Sequence, residues 1–227
     1  MSGDGGANGP LQDARLYGII DLGYVAPDAI GRVAAQLCEG GVDVVQLRAK
    51  GRDECAIEDM ANRIAPILRE AGVPFLINDH PELVPGVGAD GAHVGQDDFS
   101  VADARWRAGR ALAGEVPLPI IGKSTHSVEQ AVAAAAEGAD YIGFGPLFPT
   151  PTKAGRPAIG LADIARVHGL VRVPIFCIGG VKLENLDEVI AAGARRVVIV
   201  SGILEAADVA GYCREAKARL DAVPPSV

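Results

Sequence analysis

Two threonines and a lysine stand among prolines and glycines in the stretch GPLFPTPTKAGRPAIG, from Gly145 to Gly160, directly behind the apolar run Tyr141-Ile142-Gly143-Phe144. The prolines at 146, 149, 151 and 157 each lack an N–H and fix φ, which rules out a helix and a central strand. The segment reads as a stiff loop. Hydroxyls, free amide N–H groups and one ammonium on such a loop suit an anion such as phosphate. Taken alone, it reads equally well as a rigid surface connection with a solvated lysine.

Other residue sets point the same way. In the run DVVQLRAK, strand alternation puts Gln46, Arg48 and Lys50 on one face and Val45 and Leu47 on the other, so two cations share a mouth. A glutamine inside an apolar strand asks for a partner. Asp79 and the pair Asp97-Asp98 follow two neighbouring strand-like runs. Converging carboxylates call for a cation, and magnesium suits a site with few carboxylates, retained waters and phosphate oxygens. Each aspartate alone also reads as a helix N-cap, and spacing does not choose between Asp97 and Asp98. The segments Ile178-Gly179-Gly180-Val181 and Val200-Ser201-Gly202 offer backbone N–H groups with room for close approach, as phosphate requires. Ordinary tight turns are the plain alternative. His93 reads as a core or supporting histidine, and Cys177 as a small apolar residue.

These groups need a scaffold that brings strand ends together. Eight β-like runs recur: 16–22, 43–48, 74–79, 91–95, 119–124, 140–145, 174–179 and 196–201. Segments with helical spacing lie between them, including 27–39, 57–71, 101–113, 128–137 and 183–192, with a weak short one at 81–88. Several of these end in glycine, where a left-handed cap is wanted. Complete strand–helix alternation predicts α/β structure, a single-domain (β/α)8 TIM barrel, over an open doubly wound sheet, whose glycine fingerprint is missing from the first turn. In such a barrel chemistry sits at the C-terminal strand ends, and there the polar groups cluster; the opposite ends carry glycine, alanine, proline and single acids.

Composition bounds the rest. With 227 residues and a hydrophobic fraction of 49%, the chain suits one catalytic domain, expected over residues 15–222 with tails at 1–14 and 223–227. A formal charge of −8 without basic runs argues against nucleic-acid and membrane surfaces, so anionic ligands must be held locally. Four cysteines without C-x-x-C pairing suggest reduced thiols in a cytoplasmic protein. A homo-oligomer is left open.

Together the motifs QLRAK (46–50), IND (77–79), ADGAHVGQDD (89–98), STH (124–126), GADYIGFGPLFPTPTK (138–153), IGG (178–180) and VSGI (200–203) resemble the thiamine phosphate synthase family, in order and over about residues 16–204. The resemblance implies a transferase that joins 4-amino-5-hydroxymethyl-2-methylpyrimidine diphosphate to a thiazole phosphate, giving thiamine phosphate and pyrophosphate. By the same resemblance Gln46, Leu47, Arg48, Ala49, Lys50, Asn78, Ser124 and Lys153 hold the pyrimidine diphosphate, with Arg48, Lys50, Ser124 and Lys153 catalytic. Asp79 and Asp98 hold Mg2+, and Thr150, Pro151, Thr152, Gly180, Val200 and Ser201 hold the thiazole phosphate. The chain departs from the family pattern at Ala49, Lys123, Cys177 and Gly202; Ala49 is expected to face away from the mouth, and Lys123 to form a salt bridge with a helix. Alternatives are the sister thiazole tautomerases, for which His126 could shuttle a proton, and a non-catalytic sensor of phosphorylated ligands on the same fold.

Overall fold

A computed structural model describes residues 11–109, 118–150 and 157–224. Eight parallel strands close into one barrel in chain order: β1 Leu16–Asp21, β2 Val44–Arg48, β3 Phe75–Asn78, β4 Gly91–Val94, β5 Ile120–Thr125, β6 Tyr141–Phe144, β7 Ile175–Cys177 and β8 Val197–Ile199, with β8 paired back to β1. The (β/α)8 barrel read from the alternation is therefore the fold. Around it lie α1 Ile30–Glu39, α2 Glu54–Glu70, a 3-10 turn Pro81–Leu83 running into α3 Val84–Val87, α4 Val101–Gly109, α5 Val128–Ala136, α6 Ile164–Leu170, α7 Leu183–Ala191, α8 Ser201–Leu204 and α9 Val209–Asp221. Capping side chains start several of the helices: Asp53 accepts from Ala56 N at 2.8 Å, Ser127 from Gln130 N at 3.2 Å and Asp208 from Gly211 N at 2.8 Å. Gly41, Gly138 and Gly193, just past α1, α5 and α7, take positive φ as the sequence suggests.

Alternation along the strands divides the core in two. Outward-facing Ile20, Val45, Leu47, Ile77, Ala92, Ile121 and Ile142 pack against the helices. Inward-facing Tyr17, Ile19, Val44, Leu76, Tyr141, Phe176 and Val198 fill the barrel. Tyr17, Tyr141 and Phe176 meet edge to face, with ring centroids 5.3–5.9 Å apart, and plug the interior. Gly122 sits beside Tyr141 in the register, where any Cβ would collide with the tyrosine ring.

The single acids at the entry side tie the strands together. Asp43, Asp90 and Asp140 directly precede β2, β4 and β6, and each accepts a backbone N–H of the preceding strand: Leu16 at 2.9 Å, Phe75 at 2.7 Å and Ile121 at 2.7 Å. Residues 11–14, inside the span expected to be a tail, pack under this end: Ala14 is buried, and Gln12 O accepts from Arg196 Nη2 at 2.7 Å. The entry face is thus built for cohesion, leaving the exit face for chemistry.

Candidate active site

Above the aromatic plug lies a cavity of about 830 Å³, open mouth included. Of the residues singled out from the sequence, Gln46, Arg48, Asn78, Ser124, Thr150, Gly180, Val200 and Ser201 line it. His93, Tyr17 and Tyr141 line it as well. Leu47 and Ala49 do not; both are buried in the outer core, and they line an adjoining depression instead. Lys50 and Asp79 sit at the same depression with Asn78 and His80. Pro151, Thr152 and Lys153 lie outside the described residues.

Arg48 is fixed by a residue that the sequence did not single out. Its Nη1 donates to Asp21 Oδ2 at 2.7 Å, and Asp21 Oδ1 accepts from Gly23 N at 2.9 Å. Both side chains are nearly buried, at 14% and 4% exposure, and the β1–β2 register sets Asp21 beside Arg48. Lys50 pairs with Asp79 at 3.0 Å on a far wetter surface, with the lysine side chain 59% exposed. Asp79 has φ of +62°, a conformation uncommon outside glycine, and its N–H donates to His93 O at 2.9 Å.

The Gly179–Gly180 turn shows why glycine stands there. At Gly179, φ is +95° and a Cβ would lie 2.5 Å from Pro146 Cα; at Gly180, φ is +69° and a Cβ would lie 2.7 Å from Phe148 Cβ. The Asn185 amide holds the turn, donating to Gly180 O at 2.9 Å and accepting from Lys182 N at 2.8 Å. The start of α8 at Ser201 completes this side of the mouth.

Asp98 is exposed, and its Oδ2 accepts from Gly95 N at 2.8 Å. Asp79 and Asp98 each commit one carboxylate oxygen, and the other has no hydrogen-bond partner among the described residues. Such a donor set, hard oxygen on two strand-end loops, fits magnesium. Elsewhere among the described residues, Glu54, His80 and Glu82 bring three ligand atoms within 4.8 Å of one another, a nitrogen-containing set less suited to that ion.

Three further residues are placed differently from, or more fully than, their sequence context suggested. Lys123 is buried and donates to Phe99 O at 2.6 Å, just before α4, so a backbone carbonyl takes the place of the expected salt bridge. His126 Nδ1 bonds Gly145 O at 2.5 Å, and the residue is not among those lining the cavity. Cys177 is fully buried, and desolvation pushes its thiol up to about 12, as suits an inert core residue.

An eight-stranded parallel barrel whose exit face gathers a nearly buried arginine, carboxylates and glycine-lined backbone turns is the enzyme form of this fold. Residues 16–203 match the family described as thiamine monophosphate synthase, and the chain belongs to that family of transferases. It is 45% identical over 182 residues to a thiamine-phosphate synthase of Thermus thermophilus, covering 80% of this chain and 84% of the relative. With the thiamine-phosphate synthase of Thermobifida fusca the identity is 43% over 219 residues, covering 92% and 94%. Among solved structures, a thiamine phosphate pyrophosphorylase from Pyrococcus furiosus superposes with a TM-score of 0.81 at 27% identity, covering 93% and 97% of the two chains. A 3-hexulose-6-phosphate synthase, at TM-score 0.65 and 20% identity over 90% and 98%, shares the fold alone. Among the described residues no helix is long and apolar enough to cross a membrane.

Proposed function

We propose that the chain is a thiamine-phosphate diphosphorylase, joining 4-amino-5-hydroxymethyl-2-methylpyrimidine diphosphate to a thiazole phosphate, carboxylated or not, with release of pyrophosphate. The observation that supports this reading is one cavity with polar side chains and backbone turns gathered on two sides. Gln46, Arg48, Asn78 and Ser124 stand on β2, β3 and β5, while Thr150, Gly180, Val200 and Ser201 follow β6, β7 and β8. In this reading the first side receives the pyrimidine diphosphate and the second the thiazole phosphate.

Breaking the pyrimidine C–O bond first leaves a benzylic-type cation for the thiazole nitrogen to attack and builds negative charge on the departing diphosphate. Oriented positive groups lower that barrier without covalent catalysis. Arg48, immobilised by Asp21, supplies one fixed charge, and Lys50 a mobile one; Lys153 joins them in this reading. Asp79 and Asp98 would hold magnesium, which when bound neutralises phosphate oxygens as a Lewis acid. The close-packed aromatic floor of Tyr17, Tyr141 and Phe176 would keep water from beneath the reacting carbon.

The tautomerase alternative would use His126 as shuttle, yet that ring bonds a backbone carbonyl and is not part of the cavity lining. Four free cysteines, two of them buried, suit the reduced cytoplasm we assign to the protein. The test is product formation from the two substrates with and without magnesium. Thiamine phosphate appearing only with both substrates and metal supports the reading, and its absence under all conditions overturns it.

A further inference from the structure

Beneath the cavity a hydrogen-bonded chain crosses the barrel from β2 to β5. Gln46 Nε2 donates to Tyr17 OH at 2.6 Å, Tyr17 OH meets Tyr141 OH at 3.0 Å, Tyr141 OH meets His93 Nδ1 at 2.9 Å, and His93 Nε2 meets Ser124 Oγ at 2.9 Å. Both tyrosines are essentially inaccessible to solvent, at 1% and 0% exposure. We propose that Tyr17, Tyr141 and His93 are positioning residues whose hydrogen-bond polarity, set by the Gln46 amide, holds His93 in its Nε2–H tautomer and presents the Ser124 hydroxyl to the ligand as a donor.

The polarity follows from the rule that a buried hydroxyl proton must be used. Tyr17 accepts from an amide N–H, which can only donate. If Tyr17 also accepted from Tyr141, its own proton would be buried without a partner, at a cost comparable to a lost hydrogen bond. Tyr17 therefore donates to Tyr141. By the same reasoning Tyr141 donates onward to His93 Nδ1. An imidazole nitrogen that accepts belongs to the neutral ring, so the proton sits on Nε2 and is donated to Ser124 Oγ. One lone pair of the serine oxygen is thus engaged from below, and the hydroxyl hydrogen must point away from His93. At the other end, the Gln46 nitrogen is committed to Tyr17, so the amide offers its oxygen as an acceptor. The two cavity-lining ends of the chain consequently have opposite hydrogen-bonding character. Reversing the Gln46 amide would reverse every bond, place the His93 proton on Nδ1 and turn Ser124 into an acceptor from the ligand. The tautomer of one histidine therefore reports the state of the whole chain.

That Ser124 meets the pyrimidine diphosphate rests on the function proposed above; the polarity of the chain does not. The test is long-range proton–nitrogen correlation NMR on ligand-free protein labelled at its four histidines, with His93 assigned by its loss in His93→Gln. The expected result is a protonated, pyrrole-type Nε2 and a pyridine-type Nδ1 at His93. An Nδ1–H tautomer overturns the proposal. Tyr141→Phe removes the donor to Nδ1, and should shift the tautomer balance while kcat falls about tenfold with little change in KM for the diphosphate. Should that variant fail to fold, Gln46→Glu, whose carboxylate can only accept from Tyr17, should reverse the chain and move the His93 proton to Nδ1; a proton that stays on Nε2 would refute the polarity. His93→Gln, which keeps an N–H donor, should retain more turnover than His93→Leu. Unchanged tautomer and unchanged kcat in a folded tyrosine variant would refute the positioning role. A protein with the Nε2–H tautomer but no thiamine phosphate formation would leave the chain standing and remove only the assigned substrate.

Discussion

Replacing Asp21 by asparagine changes one atom of a buried pair and tests whether the mouth is held by charge. Asparagine retains the oxygen that accepts from Gly23 N, but its amide nitrogen would face Arg48 Nη1 across 2.7 Å, donor against donor. Hydrogen bonds to charged groups contribute roughly 1.5–3 kcal/mol, and breaking a fully buried pair costs about 3–5 kcal/mol. Arg48 retains 14% exposure at a wet mouth, which favours the lower figure, about 2 kcal/mol. For a domain of this size that lowers Tm by about 4–8 °C. The loss removes the carboxylate charge that Arg48 pairs with across β1 and β2, so pyrophosphate should raise the Tm of Asp21→Asn by more than it raises that of the parent. Thermal unfolding with and without pyrophosphate measures both effects. A double-mutant cycle with Arg48→Met isolates the pair, with an expected coupling of about 1.5–3 kcal/mol. An unchanged Tm, or an equal pyrophosphate shift in both proteins, would refute the view that Asp21 holds Arg48 by charge.

Four further outcomes are expected. Asp79→Ala and Asp98→Ala should depress turnover far more than Asp97→Ala, and chelation should abolish it; equal losses in all three, or full activity in EDTA, would contradict the metal assignment. Arg48→Met should lower kcat by about 100-fold with the fold retained, as when one oriented charge-stabilising group is lost, and a change confined to KM would indicate uniform binding instead. Lys50→Met should strengthen metal binding to the free protein slightly, by up to about 1 kcal/mol, while weakening the diphosphate; titration of each ligand should show opposite signs. Burial and the neighbouring Arg196 and Arg195 hold His168 down at about 4 against 6.5 in the unfolded chain, so the unfolded state binds the extra proton between those values and stability falls as pH drops from 6.5 to 4. Denaturant unfolding should show that slope, and His168→Gln should flatten it.

The strands were legible because both faces of a parallel barrel are covered, which makes each strand a continuous apolar run bounded by turn residues. Helices α6 and α9 were less so. The first has only seven residues, and the buried face of the second includes Ala210, Cys213 and Ala216, too small to give a strong apolar period. At the site, alternation correctly separated Gln46 and Arg48 from Val45 and Leu47, since that depends only on strand geometry. Asp21 was missed although it ends a strand, because its role depends on which strand neighbours it. Tyr17 and Tyr141 are 124 residues apart and look like ordinary core aromatics until the barrel closes. His93 was read as a supporting histidine from its position in a strand, without the bonds that define the support.

The two ion pairs at the mouth differ in a way that matters for the dissociative reaction proposed above. Arg48–Asp21 is shielded from water, with neither partner more than 14% exposed, and its geometry is locked from two sides by the β1–β2 register and the Gly23 N–H. Lys50–Asp79 lies open to solvent, where such a pair contributes only about 0–1 kcal/mol and can be exchanged at little cost. A fixed guanidinium requires no reorganisation as charge develops on the departing diphosphate, which is where preorganisation lowers a barrier. The exchangeable pair answers a different need. Under the metal assignment proposed above, Asp79 would give up the lysine for a divalent cation while the freed ammonium turned to the phosphate that the cation accompanies, so metal and diphosphate would exchange partners with a pair already neutral. In that exchange neither Asp79 nor Lys50 is left without an opposite charge, which spares the site the cost of exposing either one unpaired.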